Sequence, residues 1–198
     1  MVARDAAINY TNKYGNTPIM EAPYSGKLEN CHYFTQIGAD INICDNNNNA
    51  LHSTSVSDCL YNIELLLDKA ISVNLTNKDE FTPLHVTAQF DHVEATKSLV
   101  EGGAAINSTN RDGITPLMVS TYSGKSEIIR YLTEIGADIN IRDDNNNTAI
   151  HLVVESGSVD IVQLLLDKGM LVNLTNLVDY TAFLCSMWQS RSNEIFGR

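Results

Sequence analysis

Three histidines recur at a regular spacing and are the first residues in the chain that could bind a metal ion. They are His52, His85 and His151, and the second interval between them is twice the first. Histidine is the commonest metal ligand in proteins, but a metal site needs ligands that converge on one point. A fixed spacing instead predicts one histidine per structural unit along the molecule. We therefore expect no metal site and no cofactor.

The other reactive residue types also lack the spacing that catalysis requires. The chain has no GxSxG nucleophile motif, no GxxxxGK[ST] phosphate-binding loop and no GxGxxG dinucleotide motif. The cysteines form no CxxC pair, and none has an evident activating base: Cys31, Cys44, Cys59 and Cys185. Cysteines without a disulfide framework favour a reducing compartment. We therefore predict an intracellular, cytoplasmic protein that is not an enzyme.

The charge of the chain restricts the class of its partner. Its 198 residues carry a formal net charge of −11, and 43% of them are hydrophobic, which is typical of a folded globular protein. An acidic surface repels phosphate backbones and anionic lipid. No apolar run approaches the ~20 residues that a membrane-spanning helix needs. We expect a neutral or basic protein as the partner, not nucleic acid or a membrane, and we expect the chain itself to be a monomer.

A repeated unit of constant length organises the sequence. The first residue of a Thr-Pro-Leu-His-like tetrad recurs at equal intervals, except that the first interval is one residue shorter: Thr17, Asn49, Thr82, Thr115, Thr148 and Thr181. An asparagine recurs with the same period: Asn9, Asn42, Asn74, Asn107, Asn140 and Asn173. Two independent sets of positions with one period indicate stacked repeats. We predict one domain, residues 1–198, with repeats at approximately 1–12 (partial), 13–44, 45–77, 78–110, 111–143, 144–176 and 177–198 (partial).

We number the repeats first to sixth by their tetrad residues. Each repeat has the sequence pattern of two short helices followed by an extended turn. In the fifth repeat, Thr148 can cap a helix that places Ile150 and Val153 on one face. A second apolar stripe, residues 161 to 166, ends at Gly169. Neither helix can bury its stripe alone, so the repeats must stack into a solenoid.

The tight turn before each tetrad needs a residue with positive φ. Glycine or asparagine supplies it two residues before the threonine, at Gly15, Gly113 and Asn146. Glu80 and Asp179 occupy that position in the third and sixth repeats, where we predict strained turns.

The segments Asp112 to Met118 (DGITPLM) and Asn147 to His151 (NTAIH) resemble the signature of ankyrin repeats. The resemblance extends over roughly residues 5 to 196. It implies an α-solenoid of repeats that each combine a β-hairpin with an α-hairpin, and a protein-binding role. It also implies that the tetrad histidines make hydrogen bonds between repeats.

Four of five Asn-x-Ser/Thr sequons begin at the repeated asparagine, which accounts for them without glycosylation.

The first repeat departs from the pattern at two positions. Pro23 stands where the family has a small alanine inside the first helix, and we expect it to break or kink that helix. Asn30 stands where the fourth repeat has the core residue Ile128. We predict that the first repeat is less stable than the centre of the array. We also expect the chain to be an excerpt of a longer array, because the sixth repeat has too few residues for a second helix.

The resemblance also implies where partner-binding side chains lie. One set is at the tip of the turn before the tetrad, here Phe81, Arg111, Ile114, Asn147 and Tyr180. The other lies seven and eight residues after the tetrad threonine, here Gln89, Phe90, Tyr122, Ser123, Glu155, Ser156 and Trp188. Aromatic and arginine side chains contribute most interface energy, so we predict that the groove between the third and fourth repeats is the centre of the site. In the alternative interpretation, Phe90 and Tyr122 pack on neighbouring loops and Trp188 covers the open end of the stack.

Three function classes follow from these observations. The first is a protein-protein interaction module or scaffold that binds its partner through the turn tips and the concave face of the first helices. The second is the targeting portion of a longer multidomain enzyme or effector. The third, a stand-alone enzyme, would require titratable groups that converge in a concave pocket.

Overall fold

The computed structural model describes residues 8–25, 28–43, 48–156, 158–170 and 175–176. These residues form two compact parts. We call one the N-terminal part; it extends to Ala105 but excludes Ala88–Asp91. The C-terminal part consists of Ala88–Asp91 and the residues from Ile106 onward. The expected single domain of residues 1–198 stays a prediction.

Pairs of short helices fill both parts, as the repeat predicts. The first helices of the repeats are α1 Pro18–Glu21, α3 Ala50–Val56, α5 Pro83–Phe90, α7 Pro116–Tyr122 and α9 Ala149–Ser156. The second helices are α2 Leu28–Gln36, α4 Leu60–Asp68, α6 Val93–Glu101, α8 Ser126–Glu134 and α10 Val159–Asp167. Within each part, first helices pack on first helices and second helices on second helices, α1 on α3, α4 on α6 and α7 on α9 for example.

The tetrad sets where each first helix begins. In the fourth repeat, the Thr115 Oγ1 accepts the N–H of Met118 at 3.2 Å, and Pro116 is the first helical residue. In the second repeat, the Asn49 Oδ1 accepts the N–H of His52 at 2.9 Å. Both side chains satisfy a backbone donor that the first turn of a helix leaves unpaired. The tetrad residue therefore caps its helix in these two repeats, whereas the Thr17 Oγ1 of the first repeat makes no such bond.

Each part buries an apolar core at the positions that the helical spacing predicts. In the N-terminal part, the core includes Ile19, Leu51, Ile63, Leu66, Leu84 and Leu99. In the C-terminal part, the fully buried side chains include Leu117, Ile128, Ile129, Leu132, Ile150 and Leu165. Each helix contributes only a few of these residues, so burial requires stacking of neighbouring repeats. None of the helices in the described ranges is long and apolar enough to span a bilayer.

The repeated asparagine links successive repeats by a hydrogen bond. Its Oδ1 accepts a backbone N–H near the corresponding turn of the next repeat. The pairs and their N–O distances are Asn9 to Asp40, 2.9 Å, Asn42 to Ser72, 3.2 Å, Asn74 to Ala105, 2.8 Å, and Asn107 to Asp138, 2.9 Å. This bond explains the second period in the sequence.

The extended turns are hydrogen-bonded tips and not regular strands in the described residues, where Thr175 forms an isolated bridge. In the fourth repeat, the Asn110 N–H donates to the Ile114 carbonyl at 3.0 Å, and the Ile114 N–H returns to the Asn110 Oδ1 at 2.8 Å. The side chain thus replaces the second backbone bond of a hairpin. Asn77 with Phe81 and Asp143 with Asn147 repeat this arrangement.

The turn tips have the backbone conformation that the sequence predicts. The φ angles of Gly15, Gly113 and Asn146 are +90°, +76° and +62°. Glu80 has a φ of +63° at the same position, where a side chain with a Cβ is disfavoured. The positive φ expected at this position is therefore present in the third repeat, where the strain of the turn stays a prediction, while Asp179 lies outside the described residues.

The first repeat shows the two predicted departures. Its first helix ends after one turn at Glu21 and continues as a 3-10 helix, Ala22–Ser25, that contains Pro23. Asn30 is only partly buried and donates through Nδ2 to the Ser25 Oγ at 2.8 Å. The equivalent Ile128 is completely buried. The lower stability of this repeat stays a prediction.

Candidate protein-binding surface

The fourth residue of the tetrad accepts the backbone N–H of the first residue. The Thr82 N–H donates to the His85 Nδ1 at 3.1 Å, and the Thr148 N–H donates to the His151 Nδ1 at 3.2 Å. In the fourth repeat, the sulfur of Met118 lies 3.5 Å from the N–H of Thr115. Because methionine can replace histidine here, the side chain serves as an acceptor for a buried donor.

One histidine also makes the expected bond between repeats. The His52 Nε2 lies 2.8 Å from the carbonyl oxygen of Phe81. In the described part of the chain, no three His, Cys, Asp or Glu side chains are grouped as possible metal ligands. The histidines thus have structural partners within the fold.

The thiol of Cys31 is not an activated nucleophile. Cys31 is completely buried, and burial raises the pKa of its thiol from 9.0 to about 12, with a further contribution from Cys59. A thiol with a raised pKa is protonated near neutral pH and therefore a poor nucleophile. Cys59 is a free, partly exposed thiol. Cys44 and Cys185 lie outside the described residues.

The sequon asparagines have structural partners too. The Asn74 Oδ1 accepts the Ala105 N–H at 2.8 Å, and its Nδ2 donates to the Gly103 carbonyl at 3.2 Å. The Nδ2 is the atom to which an N-linked glycan would be attached. The structure thus gives this asparagine a role in stacking.

Two of the predicted binding residues are the exposed aromatic side chains in the described C-terminal part. Phe90 is the last residue of α5 and is 47% exposed, and Tyr122 is the last residue of α7 and is 59% exposed. The nearby residues Ala88 and Thr121 are completely buried. The ends of α5 and α7 thus have their backbone beside the core while an aromatic ring reaches solvent.

Two of the residues at the turn tips are more deeply placed. Phe81 and Ile114 are partly buried. The Phe81 ring meets the His85 ring edge-on, with centroids 5.3 Å apart and an angle of 62°. Phe81 therefore has a packing role beside any binding role. The shared groove predicted for Phe81 with Phe90 and Tyr122 stays a prediction.

The remaining predicted residues divide by exposure. Gln89 and Arg111 are exposed, and Ser123 is partly buried after the end of α7. Asn147 donates to the Asp143 Oδ2 at 3.0 Å and accepts from the Asn176 Nδ2 at 3.0 Å, so it stabilises neighbouring turns. The side chains of Glu155 and Ser156, and both Tyr180 and Trp188, lie outside the described residues.

The first repeat and the partial unit before it expose further aromatic side chains that sequence reasoning did not select. Tyr10 is 77% exposed, Tyr14 65% and Tyr24 52%. Tyr24 follows its tetrad threonine by the same number of positions as Tyr122 follows Thr115. That shared position was the signal that could have identified it.

Comparison with known proteins agrees with the repeat geometry. A family model described as ankyrin repeats (3 copies) matches residues 1–77 and 71–143, and one described as ankyrin repeats (many copies) matches residues 122–166. A search of curated proteins found no match. Ankyrin repeats are generally protein-protein interaction modules and are typically non-catalytic. Each repeat has two linked helices, the first of which begins directly after the first tetrad residue, and the repeated asparagine joins successive repeats. This geometry and the two family matches together show that the chain belongs to the ankyrin repeat family.

Proposed function

We propose that this chain is a non-catalytic binding module whose protein partner contacts Phe90 and Tyr122. The observation that carries the proposal is the exposure of these two rings at the ends of successive first helices. Phe90 lies eight residues after its tetrad threonine and Tyr122 seven after its own, so the two rings hold adjacent positions of neighbouring repeats. Exposed aromatic side chains of neighbouring repeats are typical of a contact surface.

The fold itself does not need the ring of Tyr122. In α7, the residues that pack inward are Leu117, Ser120 and Thr121, each at most 2% exposed. Tyr122 comes after them and extends into solvent. Its removal should leave the core unchanged, because substitutions at exposed positions usually change stability by no more than ~0.5 kcal/mol. Binding is the role that its position favours.

The partner is a protein with a neutral or basic surface. The net charge of −11 raises the encounter rate with basic surfaces and lowers it with acidic ones. Aromatic rings then supply short-range contact area once the partner is bound. Arg111, Gln89 and Ser123 add polar groups in the same repeats.

The test is the double variant Phe90→Ala/Tyr122→Ala. A partner captured from the native cell and purified should bind this variant at least about 30-fold more weakly, a loss of ~2 kcal/mol, while the thermal midpoint stays within about 2 °C. The matched control is Tyr33→Ala/Tyr61→Ala, which removes two tyrosines 57% and 48% exposed from second helices. Its affinity should stay unchanged.

Two results would contradict the proposal. One is an unchanged affinity of the Phe90→Ala/Tyr122→Ala protein. The other is an equal loss in the control, which would indicate a broad effect on the surface. Adding Phe81→Ala is a separate experiment, because its ring also packs on His85 and its loss should lower the thermal midpoint.

A further inference from the structure

A small pocket in the first repeat is lined by residues outside the predicted binding surface. Its volume is about 290 Å³. This lies just below the ~300–1,000 Å³ typical of small-molecule sites, so it suits a single side chain of a partner better than a metabolite. The lining residues are Tyr10, Thr11, Asn12, Asn16, Pro18 and Glu21.

The carboxylate of Glu21 is held in a fixed direction in this pocket. Its Oε1 accepts the Nδ2 of Asn16 at 2.6 Å and the Nδ2 of Asn12 at 3.1 Å. Asn12 is fixed in turn, because its Oδ1 accepts the N–H groups of Tyr14 and Asn16 at 2.8 and 3.1 Å. The Oε2 of Glu21 accepts no hydrogen bond from the residues that the structure describes. One carboxylate oxygen is therefore oriented by the turn and the other is available to a ligand.

Glu21 also departs from the other repeats. The residues four after the tetrad residue are uncharged in the other repeats: Ser53, Val86, Val119, Leu152 and Cys185. Val86 and Val119 are buried, whereas Glu21 is exposed. A polar outer face on a terminal repeat would account for a charge here. Solubility alone, however, does not require a carboxylate whose orientation is fixed by two amides.

We propose that this pocket binds an arginine side chain of the protein partner. The guanidinium group would donate to the Oε2 of Glu21, and its planar face would stack on the ring of Tyr10, which is 77% exposed. The same turn already shows this chemistry, since the Nζ of Lys13 lies 4.7 Å from the ring centroid of Tyr14. The net charge of −11 favours the approach of a basic segment. This inference rests on the proposed function, which it extends to the chemistry of the partner.

The test uses the full chain labelled with ¹⁵N and titrated with N-acetyl-arginine N-methylamide. We expect saturable shifts of the amide resonances of residues 10–21. Glu21→Gln keeps an oxygen acceptor for both asparagines but removes the charge, and should weaken binding at least fivefold. Tyr10→Phe should bind as the natural chain does, while Tyr10→Ala should bind at least threefold more weakly. Glu29→Gln, an exposed carboxylate of the same repeat outside the pocket, should have no effect.

The neutral analogue N-acetyl-citrulline N-methylamide separates charge recognition from shape. Equal binding of citrulline, unchanged binding by Glu21→Gln, or shifts spread over all acidic loops would each overturn the proposal. The failure of the proposed function is distinguishable from these results. If the purified partner loses affinity for Phe90→Ala/Tyr122→Ala but binds Glu21→Gln normally, the proposed binding module is supported and the proposed arginine pocket is refuted.

Discussion

The side chain of Asn74 holds the backbone of the following repeat, because its Oδ1 accepts the N–H of Ala105 at 2.8 Å and its Nδ2 donates to the carbonyl of Gly103 at 3.2 Å. This pair of bonds spans the turn that follows α6. It connects two repeats through a side chain whose partners are backbone atoms. The same asparagine recurs along the chain, so this connection is a general element of the stack.

Asn74→Ala should therefore lower the free energy of unfolding by about 0.5–1.5 kcal/mol per hydrogen bond lost. Asn74→Asp retains the acceptor but loses the donor, and its loss should be smaller. Chemical denaturation of each variant measures the difference. Thr76→Ala, an exposed position in the same turn, is the control. An Asn74→Ala protein as stable as Thr76→Ala would contradict a role in stacking.

Glu80 provides a substitution that should increase stability. Its φ is +63°, where the first and fourth repeats have glycine, at Gly15 and Gly113. A left-handed conformation costs an L-residue about 1–2 kcal/mol, and the extra backbone entropy of glycine offsets part of the gain. Glu80→Gly should raise the free energy of unfolding by about 0.5–1 kcal/mol. Asp79→Gly, one residue earlier, is the control and should lower it. A decrease for both would show that the turn is not strained at Glu80.

The tetrad histidine should be replaceable by methionine but not by leucine. His85→Met keeps an acceptor near the N–H of Thr82, as Met118 does for Thr115, whereas His85→Leu leaves that buried donor without one. Leaving a buried donor unsatisfied costs about 1–3 kcal/mol. Thermal unfolding with and without EDTA checks both points. Equal losses for the two variants, or a midpoint lowered by EDTA, would support a different role for the histidine.

The sequence alone predicted the elements whose cause is local. Helix starts at Thr115 and Thr148 and the positive φ angles of Gly113 and Glu80 all follow from fixed positions within one repeat. The partner of Asn74 could not be predicted in this way, because it is a backbone N–H in the next repeat. Almost every residue has a backbone N–H, so the residue type at position 105 does not identify it as the partner. The period identified the asparagine as important without saying why.

The distinction between local and non-local causes also applies to the two proposed binding surfaces. Phe90 and Tyr122 were selected from their positions after the tetrad, and both are exposed, while their role in binding stays a prediction. The pocket of the first repeat was missed, although Glu21 was visible as the only charged residue in a set of positions that otherwise holds Ser, Val, Leu and Cys. Its significance depends on the amide groups of Asn12 and Asn16, whose placement required the geometry of the turn.

The last prediction concerns opening of the first repeat. Pro23 interrupts its first helix, and Asn30 takes the place of a core residue. The neighbouring second repeat also contains a buried polar atom without a partner. Asn62 is 1% exposed, and its Oδ1 has no hydrogen-bond partner among the described residues. A buried polar atom without a partner costs about 1–3 kcal/mol. We therefore expect the first repeat to open before the fourth.

The rate at which the Cys31 thiol is labelled measures this opening directly. With Cys44, Cys59 and Cys185 changed to serine, its thiol can react with iodoacetamide only when the first repeat opens. Ile129 is completely buried at the equivalent position of the fourth repeat. Ile129→Cys in a chain that also carries Cys31→Ala therefore provides the matched probe. Cys31 should be labelled at least about tenfold faster, which corresponds to ~1.4 kcal/mol.

The pH of this experiment follows from the pKa of Cys31. Burial raises that pKa from 9.0 to about 12, so the neutral thiol favours the folded state. This contribution is fully present below pH 9 and is lost as the pH rises toward 12. Labelling at about pH 8 therefore measures opening without weakening the fold by ionisation. Ile129→Cys also leaves a cavity that favours opening of the fourth repeat, which biases the comparison against the prediction. If Cys31 reacts no faster even so, the first repeat is not the weak end of the array.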